Sequence, residues 1–70
     1  MSRYLVVIER GPTSYGAYVP DLPGCVAVSE STEEVRQLIR DAIALHVEGL
    51  RRQGLPVPPP HSEPAWAESA

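Results

Sequence analysis

Seventy residues with a net charge of −3 make one small domain, which buries only about 60% of the surface its unfolded form exposes. All six bases are arginine and only Arg51-Arg52 are adjacent, which excludes the clustered positive charge of a nucleic-acid surface. A single cysteine excludes an internal disulfide, and Cys25, His46 and His61 lack the paired spacings of a structural zinc site.

No cofactor or metal is therefore expected. There is no apolar run of membrane-spanning length and no basic start leading into an apolar stretch, so the expected compartment is the cytosol. The lack of Lys and Asn fits either a GC-rich genome or a hot environment, and composition does not separate the two. A single core of this size rarely contributes more than about 3–5 kcal/mol. With disulfides and metals excluded, association with another chain is the expected reinforcement, as a dimer or a dimer of dimers.

Residues 3–9, RYLVVIE, predict a first strand, rich in β-branched and aromatic residues. Tyr4, Val6 and Ile8 share one face, while Leu5 and Val7 share the other, so both faces are apolar. A strand with one wet face would alternate apolar with polar. Gly11-Pro12 punctuates a turn. Residues 15–20, YGAYVP, predict a second, antiparallel strand with Tyr15, Ala17 and Val19 on one face. Asp21-Leu22-Pro23-Gly24 is a second turn, and residues 25–29, CVAVS, predict a third strand that is again apolar on both faces.

Ser31-Thr32-Glu33-Glu34 has the form of a capping box, with the Ser31 hydroxyl accepting the Glu34 amide and the Glu34 carboxylate reaching back to the Ser31 amide. The helix is expected from about Thr32 to Gln53. Its apolar stripe comprises Val35, Leu38, Ile39, Ala42, Ile43, His46, Val47 and Leu50. Gly54 suits a left-handed C-terminal stop, and Arg51 and Arg52 complement the helix dipole. Gly49, inside the helix, implies a close approach by another element. Beyond Gly54, the Leu55–Pro60 run favours extended chain, with room for a short edge strand. Residues 1–58 read as the domain, and residues 59–70 as a Pro-rich, acidic tail, loose unless Trp66 docks.

One helix covers one face of a small sheet. The other apolar face, if left bare, is a patch of the kind that marks an interaction site, and a second copy or a partner protein is expected to cover it. Tyr4, Tyr15, Tyr18 and Trp66 are the aromatic candidates for that interface. Asp21 is the turn acid placed to contact a partner, with Leu22 beside it. His46, in the apolar stripe, reads as a packed neutral residue. Cys25 could in principle form a nucleophile–base pair with His46, and a buried structural cysteine is the stronger reading. The acids Glu9, Asp21, Glu30, Glu33, Glu34 and Asp41 do not converge in spacing. No catalytic set is expected.

These features together resemble the HicB antitoxin family in its short, single-domain form. The resemblance covers about residues 3–58 and rests on YGAYVPDLPGCVAVSES followed by TEEV, on the helix reading AIALHVEGLRRQG, and on LPVPPP. It implies an α+β fold of β-β-β-α-(β) order, a partial RNase H-like arrangement without that enzyme's catalytic acids. It also implies a binding protein that self-associates and neutralises HicA, a small mRNA-cleaving toxin, by covering its basic surface. Asp21, Leu22 and the tail carboxylates are the contacts so implied. Many family members carry a C-terminal DNA-binding module. Too few residues follow Pro60 here for one, so direct DNA binding is not expected. Two alternatives stand beside this reading: a structural or regulatory homo-oligomer without a toxin, and a weak Cys25/His46 hydrolase.

Overall fold

In the computed structural model, which describes residues 3–69, three short strands precede one long helix. These are β1 (Val7–Arg10), β2 (Tyr15–Tyr18), β3 (Val26–Ser29) and α1 (Thr32–Arg52). Residues 1, 2 and 70, at the outer ends of the two expected segments, lie outside the described residues. The α+β class and the β-β-β-α order agree with the sequence reading. The optional last strand does not form, since residues 55–69 contain no strand.

The sheet is antiparallel, in the order β1-β2-β3. Val7, Tyr18 and Val26 stand side by side across it, and Ile8, Ala17 and Ala27 make the next row. Pairing of β1 starts at Val7 rather than at Arg3. The reason lies opposite: in this register Leu5 faces Pro20, which has no N–H to give the ladder. Beyond Tyr18 the chain instead closes its own turn. Val19 N–H donates to the Cys25 carbonyl at 3.2 Å, Leu22 N–H to Val19 at 3.1 Å and Cys25 N–H to Leu22 at 3.1 Å. Gly24 takes φ +85° there, in the left-handed region that glycine enters without steric cost.

Both helix ends are built from the residues that marked them. Ser31 is extended, and its hydroxyl accepts the Glu34 amide at 3.1 Å. The reciprocal half of the box is absent. The Ser31 amide donates instead to Ser29 Oγ at 3.2 Å, and that hydroxyl donates to the Ser31 carbonyl at 2.7 Å. Ser29 is buried at the end of β3, so its hydroxyl meets the Ser31 backbone before the exposed Glu34 carboxylate can. At the other end, Leu55 N–H bonds to the Leu50 carbonyl and Gly54 N–H to the Arg51 carbonyl, with Gly54 at φ +70°. That pair of bonds is the Schellman arrangement.

The core lies between α1 and the sheet face that carries Tyr15, Ala17 and Val19. Ala17, Val19, Leu22, Cys25, Val35 and Ile39 are buried, and Tyr4, Val6, Ile8, Ala27, Ala42, Ile43 and Val47 pack around them. The small side chains of Ala17 and Ala27 at the sheet centre let the helix approach. α1 lies across β3 and β2, leaving β1 at the margin. The apolar stripe is narrower than expected: Leu38 is 40% exposed, and His46 and Leu50 are only half-buried. Gly49 is a second departure, for no atom lies within 4 Å of where its Cβ would sit. Nothing approaches closely enough to require a glycine.

Two stability changes follow. Leu22 is fully enclosed, so Leu22→Ala should cost about 2–5 kcal/mol. That is comparable to all that a core of this size supplies, and urea titration by circular dichroism should find the variant largely unfolded. Gly49→Ala should raise stability by up to about 1 kcal/mol, because the methyl group meets open space and the unfolded chain loses freedom. A lowered thermal midpoint would contradict the open space at Gly49.

Candidate functional site

The sheet face turned away from α1 is apolar and bare. Alternation along the strands places Leu5, Val7, Tyr18, Val26 and Val28 on it, with Gly16 at its centre. Val26 is 62% exposed, Val28 66% and Tyr18 40%. These three lie on adjacent strands, with Tyr18 directly opposite Val26. Glu9, on β1, and Glu30, which continues the alternation of β3, stand at one end of the patch. The result is an apolar strip with two exposed carboxylates at one end. The sequence reading expected an uncovered apolar face, and it is uncovered at Tyr18, Val26 and Val28, while Leu5 and Val7 on the β1 side are half-buried.

The turn between β2 and β3 holds the other notable arrangement. Asp21, expected as an exposed contact for a partner, is 4% exposed and serves the chain itself. One of its oxygens accepts the His61 and Ser62 amides, each at 2.9 Å, and the other accepts the Ser62 hydroxyl at 2.6 Å. His61 Nδ1 lies 3.1 Å from the same carboxylate. The Ser62 hydroxyl and amide, followed by the His61 amide and ring, hold the carboxyl down at about pKa 2 against the opposing effect of burial. Nearby, the Tyr4 hydroxyl donates to the Pro58 carbonyl at 2.5 Å. The chain after α1 is therefore pinned at Pro58, His61 and Ser62, on both sides of the expected boundary after residue 58. It is not loose there, and its anchor is Asp21 rather than Trp66. From Glu63 to Ser69 every residue is exposed, and Trp66 is 97% exposed.

The six expected interface residues thus fall in different places. Tyr18 lies on the bare face. Tyr15 and Tyr4 are half-buried on the helix side. Leu22 is wholly inside the core, and with Asp21 it is unavailable on the chain's surface. Trp66 stands apart on the tail. Sequence reasoning passed over Val26 and Val28 as interface residues, although their alternation with the buried Cys25 and Ser29 and the half-buried Ala27 was the signal that places them outside. Cys25 is buried and its thiol is pushed up by desolvation, which disfavours the thiolate a nucleophile needs. Among the described residues no group of three or more His, Cys, Asp or Glu is placed to hold a metal ion. No helix among them is long and apolar enough to cross a membrane.

The described residues thus form a half-covered sheet, an apolar strip with carboxylates at one end and a turn that anchors its own tail. Residues 4–69 match the family described as HicB_like antitoxin of bacterial toxin-antitoxin system, and the chain belongs to that family. It is 41% identical over 49 residues to a UPF0150 protein of Helicobacter pylori, covering 70% of this chain and 68% of that one. It is 34% identical over 47 residues to an uncharacterized 14.9 kDa protein from the rep-hol intergenic region of Haemophilus phage HP1. That match covers 67% of this chain but spans only 35% of the phage protein's length. Among solved structures, the fold is similar to a chain of a HicA3 and HicB3 toxin-antitoxin complex, with a TM-score of 0.72 and 28% identity. The likeness covers 84% of this chain and 70% of that one.

The Asp21 anchor has a definite pH signature. Its folded pKa of about 2 lies below the ordinary 3.8, so its contribution is fully present above pH 3.8 and is lost as pH falls through 2. Asp21→Ala, which deletes both accepting oxygens, should remove the anchor at neutral pH. Amide exchange at His61 and Ser62 should accelerate, while that of α1 should change little. Unchanged protection at His61 and Ser62 would show that something other than Asp21 holds the tail.

Proposed function

We propose that this chain is the binding half of a toxin-antitoxin pair: it neutralises a small, basic, HicA-like mRNA-cleaving toxin in the cytosol by covering the toxin's RNA-binding surface. The observation that carries this reading is the bare sheet face. Tyr18, Val26 and Val28 provide an apolar centre, and aromatic and apolar anchors of this kind dominate protein interfaces. Glu9 and Glu30 at its end, with Glu33 and Glu34 in the first turn of α1, present negative charge to a basic partner. In a chain of net charge −3, that arrangement speeds the encounter and selects against other acidic proteins. The family membership and the likeness to a chain of a toxin-antitoxin complex support the same reading. Inhibition by occlusion needs no reacting group on the covering chain.

The test is to seek a small basic protein encoded beside this chain and to co-express the two, followed by an assay of mRNA cleavage. The wild-type chain should co-purify with that protein and suppress cleavage. Val26→Asp with Val28→Asp should weaken the complex by about thirtyfold or more, the scale of a lost hot spot. Both positions are exposed, so the circular dichroism spectrum should be retained. The antitoxin reading falls if cleavage proceeds unhindered by the wild-type chain. An altered oligomeric state of the double variant, with toxin binding intact, would assign the face to a second copy.

A further inference from the structure

The position beside the outer edge of β1 is vacant. Val19 N–H bonds to the Cys25 carbonyl. By the alternation of an antiparallel ladder, Ala17 and Tyr15 then also bond towards β3, while Tyr18 and Gly16 bond towards Val7 and Glu9 of β1. Ile8 therefore directs its N–H and C=O away from the sheet, and Val6 and Tyr4 continue that alternation. Among the described residues no backbone group of residues 3–6 bonds to another backbone group. The chain's own Leu55–Pro60 run cannot fill the place, because four of its six residues are proline and have no N–H to give. Ser62, Glu63 and Pro64 pass beside residues 3–6, yet a cleft of about 410 Å³ stays open there.

Three clefts meet along this edge. Tyr4 borders that one and a second of about 420 Å³, walled by Ile43, Val47 and Val57. Val6 borders it and a shallower one of about 150 Å³ over Ile8 and Ile39. Tyr4, Val6 and Ile8 lie on the helix side of the sheet. A strand laid along β1 would thus drop every second side chain, at intervals of about 7 Å, between β1 and α1. Arg3, Arg36, Arg40 and Arg51 line these clefts, four of the chain's six arginines. All four are exposed, and none has an ion-pair partner among the described residues. Of the acids beside them, Glu48 is already held by Arg52 at 2.8 Å. A chain of net charge −3 thus gathers its unpaired positive charge on one flank.

We infer that the outer edge of β1 takes up an extended, acidic segment of another protein by strand addition. The segment's backbone pairs with Tyr4, Val6 and Ile8, and main-chain bonds of this kind give affinity while side-chain pockets give selection. It carries an apolar side chain for the Tyr4–Val47 cleft and, two residues away on the same face, a carboxylate for Arg36 and Arg40. A nucleic acid would use the arginines but neither the apolar floor nor the free strand edge. This partner is acidic where the proposed toxin is basic. It binds at the edge of the sheet opposite to Val26 and Val28, and it does not depend on the toxin-binding reading.

The probe is a synthetic peptide, Val-Thr-Glu-Thr-Val-Thr-Glu, blocked at both ends and labelled with a fluorophore. Its anisotropy is read against rising concentrations of the full chain, beside a counterpart with lysine in place of glutamate. The glutamate peptide should bind saturably, and the lysine peptide about tenfold more weakly. Arg36→Glu with Arg40→Glu should weaken the glutamate peptide by about tenfold. Both positions are exposed, so the fold should survive. N-methylation of either the odd or the even residues should abolish binding, and the other set should spare it, because only one edge of the peptide is bonded to β1. In the free chain the Tyr4, Val6 and Ile8 amides should exchange fast, and the peptide should slow them. Absence of saturable binding would overturn the proposal and leave the arginines as guards of a bare edge. Binding indifferent to both N-methylation sets would overturn it by removing strand addition. Slow exchange of the three amides in the free chain would overturn it too, in favour of the chain's own tail if it holds at every dilution and of a second copy if it needs high concentration. Displacement of the peptide by a uridine oligonucleotide would overturn it by assigning the arginines to a nucleic acid.

Discussion

A single helix packed across two strands of a three-stranded sheet is the constraint from which the rest of this molecule follows. Val35 and Ile39 descend onto Ala17, Val19, Leu22 and Cys25, and those residues are nearly all that is sealed from water. One helix has only one apolar face to give. The inner side of β3 and β2 takes it, the flank beside β1 is left as a cleft, and the outer side of the sheet is left bare. The open surfaces are what remains once the available helix has been used.

What the chain does with those surfaces follows from their chemistry. Val26, Val28 and Tyr18 form an apolar strip bordered by acids, suited to a basic, partly apolar partner. The helix flank is an apolar cleft lined by Tyr4, Ile43, Val47 and Val57, with Glu48 and Arg51 at its rim. The two differ in sign and shape and lie on different sides of the sheet, so occupation of one does not exclude occupation of the other. Cys25, the residue best suited by type to attack a substrate, is enclosed and protonated. Family membership and the open sheet face together support the proposed antitoxin reading.

Much of the fold was legible in the sequence because its signals are local. Ser31 three residues before Glu34, and Gly54 after Arg51-Arg52, marked both ends of α1 to within a residue. The two-residue alternation in β1, β2 and β3 gave the two apolar faces. What was not legible depends on distance along the chain. Asp21 lies forty residues from His61, and a turn acid reads the same in sequence whether it faces water or two amides. Leu22 sits in a segment that resembles a surface turn, yet it is the most enclosed leucine among the described residues, because it joins the core cluster with Val35 and Ile39 of α1. Gly49 carried a plausible packing explanation that the structure removes. The start of β1 was misplaced because the limiting residue, Pro20, lies on the opposite strand.

The Asp21 carboxylate also changes what trimming this molecule would mean. It occupies a sealed position that is tolerable only because donors from Ser62 and His61 replace the water it has given up. A chain shortened just ahead of His61 would keep every strand and the whole helix, but the carboxylate would lose its donors and the segment that covers it together, and would turn from a buried anchor into a surface acid. The ordered part of the chain thus extends, by way of a carboxylate's donors, several residues beyond the last piece of regular structure.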